Sequence, residues 1–167
     1  MTSPVFEGVL ALLESRKQTL ATAESLTGGL VAELLTGVPG ASVVYVGGVI
    51  SYATRLKATL AGVEQETLDR YGPVAAATAI EMAAGVALRC AADWGLATTG
   101  VAGPGPQDGH PVGQVFVAVA RPAEGLSEVR ELRLHGSRDA IRREAASQAL
   151  GLLGGALGMP TAAARVD

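Results

Sequence analysis

Apolar positions along the chain follow two different periods. Between residues 4 and 17, Val5, Val9, Leu12 and Leu13 share one side of a helical repeat, and Glu14, Arg16 and Lys17 gather at its end, which predicts an amphipathic helix. Ser3 is placed to cap it, Pro4 suits its first position, and the basic end suits the helix dipole. An apolar run at 19–23 predicts a strand that leads through a glycine-bearing turn into a helix over 27–35, which stops at Thr36-Gly37-Val38-Pro39-Gly40. The Val- and Ile-rich stretch 43–52 predicts a second, buried strand, in which Gly47 and Gly48 mark a bulge or a close backbone approach. A short helix is expected over 64–71, ending at Gly72-Pro73. A long Ala-rich helix follows over 76–92, with Ile80, Ala83, Ala84, Ala87, Leu88 and Ala91 facing inward. Strands at 95–99 and 115–120 flank a Gly/Pro-rich loop, 129–134 shows part of the alternation of a half-buried edge strand, and a last helix runs from near Ser137 to before Gly154.

Helices alternating with strands predict an α/β domain, a three-layer α/β/α sandwich around a mixed, mostly parallel sheet. One domain is expected over 1–158, with a disordered tail over 159–167. Aromatic residues make up only 4% of the 167 positions, so Val, Leu and Ala must build the core, and the abundance of Ala and Gly suggests close helix–sheet packing. Net charge is -3, which does not suit direct nucleic-acid binding, although Arg130, Arg133, Arg138, Arg142 and Arg143 cluster late in the chain. The single Cys90 allows no intrachain disulfide and is expected as a small buried residue in the long helix; with only His110 and His135 besides, no metal site is expected. No run is long enough to span a bilayer and the start does not resemble a signal peptide, so a cytoplasmic location without membrane contact is expected.

The candidate chemistry begins at Ala23-Glu24-Ser25-Leu26-Thr27-Gly28-Gly29. A strand, a tight turn and a helix start place the Ser25 hydroxyl beside free backbone N–H groups, where nucleophiles and anion sites are both built. The same hydroxyl can instead act as a helix N-cap, and Glu24 can bind a ligand or make a local hydrogen bond. A serine nucleophile needs a base. Only two lysines are present: Lys17 ends a surface helix, and Lys57 follows a predicted strand end, where sites in α/β folds form. Lys57 acts as a base only if its pKa is lowered; Tyr52 can orient it, and Arg55 can perturb it or bind an anion. The loop Thr98-Thr99-Gly100-Val101-Ala102-Gly103-Pro104-Gly105-Pro106 can present N–H groups to a phosphate but lacks the P-loop ending.

These motifs together resemble the competence/damage-inducible protein CinA, C-terminal domain family. The matching segments are residues 23–29, Gly47-Gly48-Val49-Ile50-Ser51-Tyr52, Lys57, Thr99-Gly100-Val101-Ala102-Gly103-Pro104, Pro111-Val112-Gly113, and Arg138 with Arg142. The chain departs from the family pattern at Leu26, Ala53, Thr54, Ala76 and His110. The resemblance implies a stand-alone nicotinamide-nucleotide amidohydrolase (an NMN deamidase) that needs no cofactor and converts nicotinamide mononucleotide to nicotinic acid mononucleotide and ammonia. It implies Ser25 as nucleophile, Lys57 as base and Tyr52 as assistant, with Glu24, Thr27, Gly28, Gly29, Thr99, Gly100, Arg138 and Arg142 around the substrate. Oxyanion donors are expected among the amides of 27–29 or 99–100, and phosphate binding at Arg138 or Arg142, with Arg55 in reserve. A homodimer is also expected. The alternative is a non-catalytic pyridine-nucleotide-binding domain, or an interaction domain associated with competence or DNA damage.

Overall fold

The alternation of strands and helices does fold into an α/β domain, which a computed structural model describes for residues 3–160. The helices are α1 (Pro4–Ser15), α2 (Leu30–Thr36), α3 (Thr54–Thr59), α4 (Gln65–Tyr71), α5 (Ala76–Arg89) and α6 (Arg138–Ala156). The strands are β1 (Leu20–Glu24), β2 (Tyr45–Ile50), β3 (Trp94–Gly100), β4 (Gln114–Arg121) and β5 (Leu126–Arg133). They form one mixed sheet in the order β2-β1-β3-β4-β5. β2, β1 and β3 run parallel, and β4 is antiparallel to both of its neighbours, so β5 points the same way as the first three.

The two faces of the sheet differ in side-chain size. Leu20, Leu96, Val115, Val117 and Val119 meet α1, α2 and α6 through Phe6, Val9, Leu10, Leu13, Val31, Ile141, Leu150 and Leu153. The alternate positions, Ala21, Ala23, Ala97, Ala118 and Ala120, face α5 through Met82, Ala83 and Val86. The small residues let α5 come close. A Cβ on Gly95 would sit 1.8 Å from the Ala83 carbonyl oxygen, and one on Gly85 would sit 1.9 Å from that of Ala61. Gly48 serves β2 in the same way, since a Cβ there would lie 2.2 Å from the Thr22 carbonyl oxygen. The strand bulges one step earlier, where Leu20 pairs with Tyr45 but Ala21 pairs with Gly47.

Several elements differ from the sequence reading. The run 43–52 reads as a buried strand because it carries no charge, yet β2 is an edge strand with Val46 and Ile50 about half exposed, and residues 41–43 form a 3-10 turn before it. In α1 the inward stripe is Phe6, Val9, Leu10 and Leu13, and Val5 is exposed, because α6 selects one of two overlapping stripes. In α5, Thr78, Ala79, Met82, Gly85 and Val86 are buried besides the expected Ala83 and Ala87, whereas Leu88 is exposed. A helix of small apolar residues has no dominant face, so the close approach at Gly85 sets its rotation. Cys90 lies just past α5 and is half-buried rather than buried. α3 has no counterpart in the expected elements, β5 begins earlier than the expected 129, and α6 continues through Gly154. Ser3 caps α1 without a side-chain hydrogen bond. Met159 donates its N–H to the Gly154 carbonyl and packs against the core, while 161–167 of the expected tail lie outside the described residues.

Two glycine substitutions separate these effects in urea unfolding. Gly95→Ala is expected to destabilise the fold by about 2 kcal/mol or more, because the added methyl meets backbone that must move. Gly151→Ala, in the interior of α6 with nothing within 4 Å of the new Cβ, is expected to stabilise it by about 0.5–1 kcal/mol.

Candidate active site

The parallel strands bring three chain segments together at their C-terminal ends, the usual place for a site in an open α/β sheet. Ser25 follows β1, Ser51 and Tyr52 follow β2, and Thr99 and Gly100 end β3. The Ser25 N–H donates to the Thr98 carbonyl at 3.0 Å, and the Ser51 N–H donates to the Glu24 carbonyl at 2.9 Å, so hydrogen bonds between neighbouring strands hold the serine. Gly28 and Gly29 turn the chain with φ of 57° and 107°, values that favour glycine.

Ser25 is not a helix cap. Its Oγ lies 2.9 Å from Lys57 Nζ, and Lys57 reaches it from α3. The second partner of Nζ is the Ser51 carbonyl oxygen, also at 2.9 Å. Lys57 is only 2% exposed, and Ser25 only 7%. Burial lowers the Lys57 pKa from its ordinary value to about 8, because the ammonium form loses its hydration.

The helix end that Ser25 leaves free is taken by Glu24. Its Oε2 accepts from the Gly29 N–H at 3.0 Å, the Val31 N–H at 3.0 Å and the Thr27 hydroxyl at 2.7 Å, and its Oε1 accepts from the Ala32 N–H at 2.9 Å. The Thr98 hydroxyl lies 2.7 Å from that of Thr27 and extends the chain of hydroxyls. With the Thr27 proton on Glu24, Thr98 is the donor of that pair. Arg142, from α6, clamps the same turn: its Nε donates to the Leu26 carbonyl at 2.9 Å and its Nη2 to the Thr27 carbonyl at 3.0 Å.

A cavity of about 70 Å³ opens above the pair, and its lining includes Ser25, Leu26, Tyr52, Thr54, Lys57, Thr99, Gly100, Gln107 and Arg138. Tyr52 and Arg138 stand at its mouth, where the Arg138 guanidinium donates to Tyr52 Oη at 3.0 Å and to the Gly103 carbonyl at 2.5 Å. Thr99 spends its hydroxyl on the Pro73 carbonyl at 2.6 Å.

The structure thus brings Ser25, Lys57, Tyr52, Thr99, Gly100 and Arg138 to one cavity. Glu24, Thr27, Gly28, Gly29 and Arg142 are not part of its lining; Glu24, Thr27 and Arg142 shape the turn that carries Ser25. Among the amides expected to hold an oxyanion, that of Gly28 donates to the Ser25 carbonyl and that of Gly29 to Glu24. Arg55 is exposed and away from the lining. Sequence reasoning gave no weight to Gln107 or Ser51; the first sits in a tight loop and the second inside a strand-end motif, where neither announces chemistry. Two departures from the family pattern, Leu26 and Thr54, do line the cavity, and His110 does not.

A serine at the end of β1 with a lysine from α3 beside it, in an α/β/α sandwich, describes the fold and its candidate site, and the comparisons agree with the fold. The CinA C-terminal domain model matches residues 3–157. A CinA-like protein of Frankia casuarinae is 50% identical over 145 residues, which cover 87% of this chain and 33% of that protein. The chain therefore spans about a third of the length of such curated relatives. Two solved structures cover nearly their whole length. The competence damage-inducible protein A (ComA) of Klebsiella pneumoniae superposes with a TM-score of 0.87 at 31% identity, covering 92% of this chain and 95% of that one. The competence/damage inducible protein CihA of Agrobacterium tumefaciens superposes with 0.84 at 33% identity, covering 95% and 99%. This chain belongs to the CinA C-terminal domain family.

The cap formed by Glu24 is directly testable. Glu24→Gln keeps the shape but replaces one acceptor oxygen by an NH₂ that faces N–H donors. Thermal or chemical unfolding is expected to show a loss of about 2 kcal/mol.

Proposed function

We propose that this chain is a nicotinamide-nucleotide amidohydrolase that converts nicotinamide mononucleotide and water to nicotinic acid mononucleotide and ammonia. The observation that carries the reading is the buried Lys57 amine 2.9 Å from Ser25 Oγ at the floor of a cavity. An amine with a pKa of about 8 is partly neutral near neutral pH and can accept the serine proton. Ser25 Oγ then bonds to the carboxamide carbon, and the carbonyl oxygen becomes an oxyanion. The Leu26 N–H, directly after the nucleophile, is the proposed donor to it, in the position that nucleophile turns use. The Lys57 ammonium returns its proton to the departing nitrogen, the C–N bond breaks, and ammonia leaves. Water, deprotonated by Lys57, cleaves the acyl-serine and restores Ser25.

The cavity is far smaller than a typical nucleotide pocket, so it suits the carboxamide head, and the ribose phosphate would pass the mouth. There Arg138 is the proposed phosphate partner, and Tyr52, held by Arg138, would come into contact with the ring or leaving group. Arg142 is already engaged with two carbonyls. The proposed substrate is a phosphorylated cytoplasmic metabolite of pyridine-nucleotide salvage, which supports a cytoplasmic location. The expected homodimer is supported by the outer edge of β2, which carries no charge and exposes Val46 and Ile50.

Ammonia release from nicotinamide mononucleotide tests the reading. Wild type is expected to turn over, and Ser25→Ala and Lys57→Met to lose at least about a thousandfold. The kcat/KM profile should fall about tenfold per pH unit below about 8, because protonation removes the base, and level off above it. No release from a folded wild type would shift the reading to a non-catalytic binding domain. Arg138→Ala is expected to raise KM for the mononucleotide about tenfold or more while leaving that for nicotinamide riboside nearly unchanged; equal losses on both would remove the phosphate role.

A further inference from the structure

Among the described residues, Ser51 Oγ is the one buried side-chain nitrogen or oxygen without a hydrogen-bond partner. Ser51 is 0% exposed. A hydroxyl withdrawn from water without a partner is costly and rare, so its retention calls for a reason. Its place suggests one. The Ser51 N–H is bonded to the residue before Ser25, and the Ser51 carbonyl holds Lys57 Nζ. The unpartnered hydroxyl therefore belongs to the residue that already grips the amine, one rotatable bond from the backbone.

We propose that Ser51 is a positioning residue for Lys57, its hydroxyl oxygen being the acceptor that the amine takes up on becoming an ammonium. The proposal rests on the serine–lysine reading of the site. A neutral amine has one lone pair and two N–H groups. The lone pair accepts the Ser25 O–H, and one N–H donates to the Ser51 carbonyl. Once Lys57 holds the Ser25 proton and Oγ is bonded to the carboxamide carbon, the ammonium carries three N–H groups. The Ser51 carbonyl keeps one and the departing nitrogen faces another. Rotation about χ1 of Ser51 offers an oxygen to the third. Its hydroxyl lacks a partner while the amine is neutral, because the third N–H exists only on the ammonium.

Among the described residues no carboxylate is hydrogen-bonded to the amine; Glu81 of α5 accepts from the Glu64 N–H and the Thr67 hydroxyl. Tyr52 and Arg138 stand at the cavity mouth, Arg55 is on α3 itself, and Glu24 is saturated by the α2 end. From α5, Arg89 lies on the Ala58 and Thr59 carbonyls. α4, which packs on α3, carries Glu66, Asp69, Arg70 and Tyr71. Nζ is hydrogen-bonded to none of these, only to Ser25 and Ser51.

An acceptor for the ammonium holds the Lys57 pKa up, so Ser51→Ala should lower it. Lys17 and Lys57 are the only lysines, and selective lysine labelling therefore gives two resolvable NMR titrations. In Ser51→Ala the Lys57 midpoint is expected about one pH unit below that of wild type, with Tm unchanged or higher at pH values above the midpoint, where the amine is neutral and an unpaired hydroxyl has been removed. Coincident midpoints, whether or not Tm changes, would overturn the proposal. Turnover gives a second signature. The loss in Ser51→Ala should be about tenfold on the alkaline plateau and shrink toward pH 7, where more of the weakened base is neutral; a uniform loss at every pH would count against it. Ser51→Cys, similar in size with a weakly accepting sulfur, should fall between the two and provides a second variant for folding. If wild type releases no ammonia, the amidohydrolase reading fails, while the NMR midpoints still decide the role of Ser51.

Discussion

The site depends on keeping one lysine amine out of water. Lys57 is almost completely buried, and the cost falls on its charged form, whose pKa drops from 10.5 to about 8. At pH values below that of the folded group, this depression opposes folding by about 3 kcal/mol, and the penalty is relieved as pH rises from about 8 to 10.5. The fold therefore carries a destabilising group that two packed core clusters must offset. The partners of the amine, a hydroxyl and a carbonyl, are neutral. A carboxylate beside it would raise its pKa and keep it charged near neutral pH, which would remove the base that the proposed chemistry needs.

The sheet supplies the precision. Three parallel strands end side by side, so the residues just past them are separated by strand spacing and tied by hydrogen bonds between neighbours. Small residues on the α5 face serve the same end. Gly48, Gly85 and Gly95 let backbones approach where a methyl group would not fit, which accounts for glycine at these three positions.

Charged residues near Ser25 divide into two kinds. Glu24 and Arg142 spend their charge inside the protein, one on the amides of the α2 end and the other on the carbonyls of the turn. Between them they fix the backbone on which Ser25 sits. Arg138, one helical turn before Arg142, remains exposed and faces the cavity mouth. Both arginines look equivalent in the sequence, and only the path of the turn beneath α6 separates them.

Alternating strands and helices, the glycine turn after β1 and the scarcity of lysine were enough to define the α/β layers and to single out Ser25 and Lys57 as a pair. These features are local: periodicity reports secondary structure, and two lysines leave little choice of base. The short α3 that carries Lys57 was not legible, because six residues are too few to show a helical period. The edge position of β2, the rotation of α5 and the inward stripe of α1 were decided by tertiary structure, since strand order and helix–sheet contact select among apolar faces that the sequence leaves nearly equal. The same holds for Glu24, Arg142 and Ser51. Whether a polar side chain binds its own backbone, faces a cavity or stays buried without a partner depends on which chain segments fold against it, and sequence spacing does not encode that distance.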